Sequence, residues 1–186
     1  AARLPLCVVR EAAYEKRTDG SMTQTAVVKL AFLKTGSFEL PEILVTGEAK
    51  NVALIFAEAD KLLEGKPVSR AWRNDVLVCI DEAFSNIIQH GYLYAPEGKI
   101  RVTMTLYRDY FRIIFQDTAA AYKEPRKKPA PGRAVLNRKT PGLGWHIMRQ
   151  LMDKVAYQRI GESNCLVLTK NIEAEDRHDS EDKRPE

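Results

Sequence analysis

The sequence has little cysteine and no long apolar run. Its three cysteines, Cys7, Cys79 and Cys165, are widely separated and odd in number. Zinc sites of the CxxC type need closely spaced cysteines, so the spacing excludes them, and the odd count argues against a disulfide framework and fits a reducing compartment. No segment approaches the roughly 20 apolar residues that span a bilayer, so we expect a soluble protein without membrane association.

The chain also lacks an initiator methionine and a secretory apolar segment at its start, AARLPLCVVREAAYEK. This start predicts a trimmed or excised piece of a longer protein, with the cytoplasm as the default localisation. The 186 residues, 45% of them hydrophobic, are enough for one domain with a core.

The net charge of +4 is modest, and its distribution is more informative. Residues 122–140, YKEPRKKPAPGRAVLNRKT, contain seven Lys or Arg residues against the single Glu124, together with three prolines. Without helical or strand periodicity, this segment is predicted to be a long basic loop of the kind that forms lids or binding elements. The charged stretch 173–186, EAEDRHDSEDKRPE, is predicted to be a disordered tail.

The hydrophobic spacing predicts an order of strands and helices. Strands are expected at 27–34 and 38–47, in a tight hairpin of 99–107 with 110–117, and in a final hairpin of 155–160 with 164–170. Helices are expected from about Glu48 to Gly65, from an N-cap at Ser69 to about His90, and after PGLG at 141–144. The sum is an α+β fold, a two-layer sandwich with three helices on one face of a mostly antiparallel sheet.

The second helix carries Glu82 and Asn86 in an otherwise core-like stretch, DEAFSNIIQHGY. On a helical wheel the two lie just beside the arc that must face the sheet, so we expect them to line a crevice next to the core. That arc consists of Trp72, Val76, Ile80, Ala83, Phe84 and Ile87. A solvated helix edge would contain the same residue types, so the spacing alone leaves both interpretations open.

Two further features lie downstream. The strand FRIIFQD ends in Asp117, and the basic segment leads to GLG, Gly142 to Gly144, at the start of a helix. Glycines there let the backbone approach a ligand, and the first amides of a helix attract phosphate. An acid at a strand end can accept a hydrogen bond from the exocyclic amine of a purine. Taken singly, each feature also fits a simple turn.

The order of these features resembles the GHKL ATPase superfamily, whose nucleotide-binding fold is the Bergerat sandwich. Within it, the chain looks most like the bacterial anti-sigma factor serine/threonine-protein kinases. The resemblance is carried by DEAFSNIIQHGY, EGKIRVTMTLYRDYFRIIFQD and PGLGWHIMRQLMDKVAYQRIGESNCLVLTK. It covers residues 26–172, with a lid at 118–141, and leaves residues 1–25 as an N-terminal extension or linker and 173–186 as the tail.

The resemblance implies roles for the residues that match its motifs. Asn86 matches the magnesium ligand of the family, since an amide oxygen suits a hard cation that bridges phosphates. Glu82 matches the residue proposed as general base, which would take the proton of a serine hydroxyl during phosphoryl transfer. Asp117 would receive the adenine amino group, with Ala119 beside it in the nucleotide site.

The phosphates of ATP would be bound at the opposite end of the implied site. Gly142, Leu143 and Gly144 would cradle them, and Arg138 or Lys139, near the lid arginine of the family, would neutralise their charge.

One motif departs from the family pattern. The acid is normally followed by glycines in the order D-x-G-x-G, whereas this sequence has DTAAA, with Ala119 and Ala121 in the glycine places. If those positions require a positive φ, each alanine costs about 1 kcal/mol or more. If the loop tolerates one added methyl group per site, nucleotide binding survives. The sequence leaves both outcomes open.

The resemblance implies an ATP- and magnesium-dependent protein serine kinase of a partner-switching system. It would phosphorylate a small anti-sigma antagonist protein and sequester a sigma factor, and it would form a homodimer. DTAAA favours an alternative, a partner-binding switch module with weak or no nucleotide binding. Two further readings fit less well. A sensor histidine kinase domain would need an upstream phosphoacceptor helix, and a nucleic-acid binder would need aromatic residues among the basic ones of 122–140.

Overall fold

The computed structural model describes residues 42–122 and 142–172 with their side chains, and the backbone of three strands nearer the N-terminus. The strands are β1 (Glu11–Lys16), β2 (Met22–Val27), β3 (Phe38–Glu39), β4 (Ile43–Thr46), β5 (Lys99–Leu106), β6 (Tyr110–Asp117), β7 (Lys154–Ile160) and β8 (Ser163–Asn171). The α-helices are α1 (Val52–Leu63), α2 (Arg70–Asn86) and α3 (Leu143–Leu151). A 3₁₀ turn, Ala49–Asn51, precedes α1, and a π-helical turn, Ile87–Gly91, follows α2.

Six of the strands form one antiparallel sheet. Its order is β3, β5, β6, β8, β7, and β4 pairs with β5 on the same edge as β3. The strands β1 and β2 pair with each other in a separate antiparallel hairpin. The α+β architecture with a mostly antiparallel sheet, predicted from the sequence, is confirmed.

The central hairpin determines where the strand-end acid lies. Tyr107 N–H donates to the Tyr110 carbonyl at 2.8 Å, so the turn between β5 and β6 has two residues, as predicted. In this register Asp117 ends β6 and pairs directly with Asn164 of β8. Because side chains alternate along a strand, Asp117 shares the helix-facing side of the sheet with buried Phe115.

The helices follow the predicted spacing. α1 buries Ile55, Ala59, Leu62 and Leu63, and Gly65 follows it with a φ of 64°. α2 begins after Ser69, whose Oγ accepts a hydrogen bond from Trp72 N–H at 3.1 Å, so the predicted N-cap is confirmed. The predicted sheet-facing arc is buried along its whole length: Trp72, Val76, Ile80, Ala83, Phe84 and Ile87.

The core lies between these helices and one face of the sheet. Trp72 of α2 meets Phe111 of β6 edge to face, with ring centroids 6.1 Å apart, and its indole N–H donates to the Asn171 carbonyl at 2.7 Å. Phe84 and Phe115 are 1% and 0% exposed. Burial of each such ring stabilises the fold by about 1.5–3 kcal/mol, so α2 is anchored firmly beside the sheet. Among the described residues, no helix has the length and apolar character needed to cross a membrane.

Some expectations differ from the structure or fall outside it. α2 ends at Asn86, and Tyr92 N–H donates to the Ile87 carbonyl at 2.9 Å, five residues back, which is the π-helical pattern. A 3.6-residue periodicity does not reveal this change of pitch. The predicted strand 27–34 overlaps β2 only at Val27, and residues 28–37 lie outside the described part of the chain, as does the predicted tail.

The cysteines also differ from expectation. Cys165 is disulfide-bonded, although no disulfide was expected from the sequence. Spacing along the chain carries no sign of one long-range pair, because pairing depends on how close the fold brings two Cα atoms. Cys79 is a free thiol, and burial raises its pKa to about 12.

Candidate functional site

A cavity of about 360 Å³ opens between α2, α3 and the adjoining ends of β6 and β8. Its walls are apolar at Ala83, Ile87, Met148 and Leu166, and polar at Asn86, Asp117 and Asn164. Mostly apolar walls with a few convergent polar groups are typical of small-molecule sites. The structure thus places two of the predicted site residues, Asn86 and Asp117, in one cavity, together with Gly142.

Asp117 is the buried acid of this cavity, at 4% exposure. Its Oδ1 accepts hydrogen bonds from Ala119 N–H at 2.9 Å and from Asn164 Nδ2 at 2.7 Å. Burial raises the pKa of Asp117 above its ordinary value, and the bonds from Asn164 and Ala119 and the charge of Arg159 oppose that rise in part. Both bonds fall on Oδ1, so within the described residues Oδ2 remains available to a donor in the cavity.

Asn164 holds Asp117 in place and was not predicted from the sequence. Besides Asp117, its Nδ2 donates to the Ala119 carbonyl at 3.1 Å. Its Oδ1 accepts from Tyr157 Oη at 2.8 Å and from Arg159 Nη1 at 2.6 Å. Every hydrogen-bonding group of the amide is therefore used within the protein, which fixes the orientation of the carboxylate. One signal in the sequence could have indicated this role. Asn164 lies near the start of the last strand, and antiparallel pairing places the start of that strand opposite the end of β6.

Three aromatic rings close one side of the cavity. Tyr122 stacks on Trp145 of α3, with centroids 5.1 Å apart, and meets Tyr157 edge to face at 5.7 Å. Its N–H also donates to Tyr157 Oη at 2.9 Å. The chain after Asp117 is therefore attached to both β7 and α3. The Nε1 of Trp145 is buried and makes no hydrogen bond within the described residues.

Glu82 and Asn86 lie on the side of α2 that contacts Gly144 of α3. A Cβ on Gly144 would lie 3.1 Å from Asn86 Nδ2 and closer still to the Glu82 carboxylate, so only glycine fits there without displacement. The Nδ2 of Asn86 is buried and has no hydrogen-bond partner in the part of the chain that the structure describes. The two side chains thus line a crevice against α3, which agrees with the crevice interpretation and not with the solvated helix edge.

The start of α3 has the geometry of an anion site. Gly142 adopts φ 84°, ψ 1°, a left-handed conformation that favours glycine. His146 N–H donates to the Gly142 carbonyl at 3.1 Å, so the amides of Leu143, Gly144 and Trp145 precede the first intrahelical donor. Such amides lack intrahelical partners and carry the positive end of the helix dipole.

The alanines of DTAAA are not strained. Among the described residues other than glycine, only Leu93 and Tyr94 have a positive φ. The conformational cost considered for Ala119 and Ala121 is therefore absent. Ala119 is buried, whereas Ala121 lines the cavity. The predicted lid residues Arg138 and Lys139 lie outside the described residues, so their part in the site stays a prediction.

Residues 45–170 match the model of one protein family, described as the histidine kinase-like ATPase domain. The matched span includes α2, β6, α3 and β8, the elements that surround the cavity.

Curated relatives match at lower identity. "Serine-protein kinase RsbW" of Bacillus mycoides (strain KBAB4) is 26% identical over 143 residues, which cover 74% of this chain and 88% of that protein. "Serine/threonine-protein kinase BtrW" of Bordetella bronchiseptica is 29% identical over 129 residues, 69% of this chain and 89% of that protein.

A solved structure also matches, that of the RsbU and RsbW domains of Rv1364c from Mycobacterium tuberculosis, with a TM-score of 0.49 and 15% identity. The match covers 72% of this chain and 33% of that longer one. Because the family match extends over most of the sequence and includes the cavity, the chain belongs to the histidine kinase-like ATPase domain family, and the predicted GHKL resemblance is confirmed.

Proposed function

We propose that the chain is an ATP-dependent protein serine kinase and anti-sigma factor. It phosphorylates a small anti-sigma antagonist protein and sequesters a sigma factor. The observation that carries the proposal is the meeting of Glu82 and Asn86 with Gly144 beside the cavity that Asp117 lines. The motif resemblance to anti-sigma kinases and the serine kinase names of the curated relatives support it.

Asp117 is the residue proposed to recognise the adenine base. Its Oδ2 accepts a hydrogen bond from the exocyclic amine, while Asn164 and the Ala119 amide hold Oδ1. A buried, oriented acceptor favours adenine over guanine, because guanine presents a carbonyl where adenine presents the amine. The apolar walls of Ile87 and Leu166 exclude water from the base.

The phosphates are assigned to the start of α3. The amides of Leu143 and Gly144, which precede the first intrahelical donor, bind them, and Arg138 or Lys139 neutralises their charge. Among the described residues, no group of three or more His, Cys, Asp and Glu side chains is suited to a metal ion. Magnesium bound to nucleotide phosphates commonly takes only one or two protein ligands, and Asn86, which lines the cavity, carries an amide oxygen of the kind that magnesium prefers. When bound, magnesium would neutralise charge on the phosphates.

Glu82 is the proposed general base. It lies one helical turn before Asn86, and its carboxylate lies against Gly144 at the assigned phosphate end. There it takes the proton from the incoming serine hydroxyl as the oxygen attacks the γ-phosphorus in line. The carboxylate thus becomes a carboxylic acid, phosphoserine forms and ADP leaves.

The partners assigned to the chain are proteins: the antagonist, the sigma factor and a second copy of the chain in a homodimer. The proposal includes no direct contact with nucleic acid or with a membrane. Phosphorylation of the antagonist would add about 1.5–2 negative charges at the modified serine, enough to weaken its contact with the kinase and free the kinase to bind the sigma factor.

The proposal is tested by phosphate transfer. The purified chain is incubated with magnesium, ATP labelled in the γ-phosphate and each candidate antagonist of the source organism. We expect the natural chain to transfer label to a serine of one antagonist. Glu82→Gln should lose the transfer but still bind ADP, whereas Asn86→Ala should lose both the transfer and ADP binding. Absence of transfer to every antagonist, with ADP binding unaffected by Asn86→Ala, would contradict the proposal.

The alternative is a partner-binding switch module that has lost catalysis. DTAAA favours it, since Ala121 lines the cavity with a methyl group at a glycine position of the family pattern. Its test is the variant with Ala119→Gly and Ala121→Gly. Phosphate transfer by this variant but not by the natural chain supports the switch module, whereas transfer by both supports the kinase.

A further inference from the structure

The end of the π-helical turn and the loop after Asp117 touch through a glycine and an alanine. Ala119 is only 6% exposed. A Cβ placed on Gly91 would lie 2.7 Å from the Cβ of Ala119, inside the 3.0 Å limit that real Cβ atoms respect. Only one of the two positions can therefore carry a methyl group while both backbones stay in place.

The need for glycine at position 91 is steric and does not come from its backbone conformation. The glycines with a positive φ in the described part of the chain are Gly65, Gly142 and Gly161. Apart from Ala119, the nearest atom to a Cβ on Gly91 is Cγ2 of Ile87 at 3.9 Å, an ordinary contact. Among the described residues, the Ala119 methyl group is the contact that obstructs a Cβ at position 91.

The same loop holds the buried acid. Ala120 N–H donates to the Gly91 carbonyl at 3.3 Å, so the loop and the helix end are joined next to the methyl contact. Ala119 N–H donates to Asp117 Oδ1 at 2.9 Å, and its carbonyl accepts from Asn164 Nδ2 at 3.1 Å. A shift of the loop away from Gly91 therefore disturbs two of the hydrogen bonds that orient the Asp117 carboxylate.

We propose that Gly91 and Ala119 form a steric pair that positions Asp117 for the base. The methyl group at 119 fills the space that glycine leaves at 91 and sets the distance between the loop and the helix end. Gly91 is thus a positioning residue of the nucleotide site. The inference rests on the proposed function, because the ligand it concerns is the adenine nucleotide assigned there. The combination of Gly91→Ala with Ala119→Gly keeps one methyl group in the contact and only moves it from position 119 to position 91.

A double-mutant cycle tests the pair. The natural chain, Gly91→Ala, Ala119→Gly and the double variant are titrated calorimetrically with ADP and magnesium, and their melting temperatures are measured. We expect Gly91→Ala to weaken ADP binding on the order of tenfold and Ala119→Gly, which removes the spacing methyl group, to weaken it by a smaller factor. The double variant should return to within about threefold of the natural chain. If Gly91→Ala weakened ADP binding only through a general loss of stability, removal of the methyl group at position 119 would not restore the binding.

The matched control is Gly91→Ala combined with Ala120→Gly, which adds the same backbone freedom without relieving the contact. ADP binding should stay weak in this control. The inference is overturned if Gly91→Ala binds ADP like the natural chain, or if the Ala120→Gly control rescues binding as well as Ala119→Gly does.

Failure of the proposed function gives a different pattern. If the natural chain binds no ADP, the nucleotide proposal fails, and the steric pair is judged from the melting temperatures. A melting temperature lowered by Gly91→Ala and restored in the double variant supports the pair, whereas an unrestored one overturns it. Should Gly91→Ala fail to fold, folding of the double variant supports the pair and failure of both variants overturns it.

Discussion

Asn164 donates a 2.7 Å hydrogen bond from Nδ2 to Oδ1 of Asp117, its direct register partner across β6 and β8. The other end of the same amide accepts from Tyr157 and Arg159, neighbours on β7. Three adjacent strands thus fix one carboxylate. A buried acid fixed in this way pays little entropy when it binds a ligand, which is the condition for selective recognition of a base.

Replacement of Asn164 by alanine should affect both stability and binding. Asn164→Ala leaves the buried Asp117 with one hydrogen bond in place of two, so we expect the free energy of unfolding to fall by about 1–3 kcal/mol. ADP affinity should fall as well, because the carboxylate loses its orientation. Urea unfolding and calorimetry measure the two effects. Tyr157→Phe is the control, since it keeps the bond to Asp117, and an equal loss of ADP affinity in both variants would contradict this role of Asn164.

Replacement of Asn86 by alanine should separate stability from function. The buried Nδ2 of Asn86 has no hydrogen-bond partner within the described residues, so its removal costs no bond and ends the burial of an unpaired polar group. We expect Asn86→Ala to melt at the same temperature as the natural chain or higher, and to lose magnesium-dependent ADP binding. Gln89→Ala, at an exposed position of the adjoining π-helical turn, is the control. A lowered melting temperature with ADP binding intact would show a structural role for Asn86.

The sequence was sufficient for the elements whose signals are local. The α1 spacing, the Ser69 cap and the two-residue turn after Tyr107 each depend on neighbours along the chain, and all three are observed. The placement of Asn86 beside the core was also predictable, since helical geometry fixes the angle between positions.

The features that were missed depend on contacts distant in sequence. Asn164 acquires its role through pairing with a strand 47 residues away. The fit of Ala119 depends on the contact with Gly91, at the end of a π-helical turn that no periodicity indicates. The strain considered for DTAAA could be judged only from backbone angles, which the residue types do not determine.

Replacement of Gly144 by alanine should disturb the assigned phosphate end alone. The new Cβ would collide with the Glu82 carboxylate, which must turn away from its place beside α3, and would approach Asn86 Nδ2. We expect ADP affinity to fall at least about tenfold, while adenosine, which lacks phosphates, binds nearly as before. The control is Gly65→Ala, where φ is 64° and no atom lies within 4 Å of the added Cβ. This control should lose about 1 kcal/mol of stability without a change in ADP affinity. If Gly144→Ala lost affinity for ADP and for adenosine equally, the assignment of the phosphate end would be contradicted.

The pH dependence of ADP binding should report on Asp117. Burial raises the pKa of this carboxyl in the folded protein, and the ionised form is the better acceptor for the adenine amine. ADP affinity should therefore be constant near neutral pH and fall as pH decreases through the raised pKa, above the ordinary value of about 3.9. Stability should change in the opposite sense. A raised folded pKa contributes stability that is fully present below the unfolded pKa and is lost as pH rises through the folded one.

Asp117→Asn is the control for both effects, because its side chain does not titrate. We expect weak ADP binding by this variant and the absence of the carboxyl titration, while titration of the ligand phosphates appears equally in both proteins. Calorimetry and urea unfolding across a pH series give the two profiles. Identical profiles for the natural chain and Asp117→Asn would show that the buried carboxyl does not receive the base, and the adenine contact would then have to be sought elsewhere in the cavity.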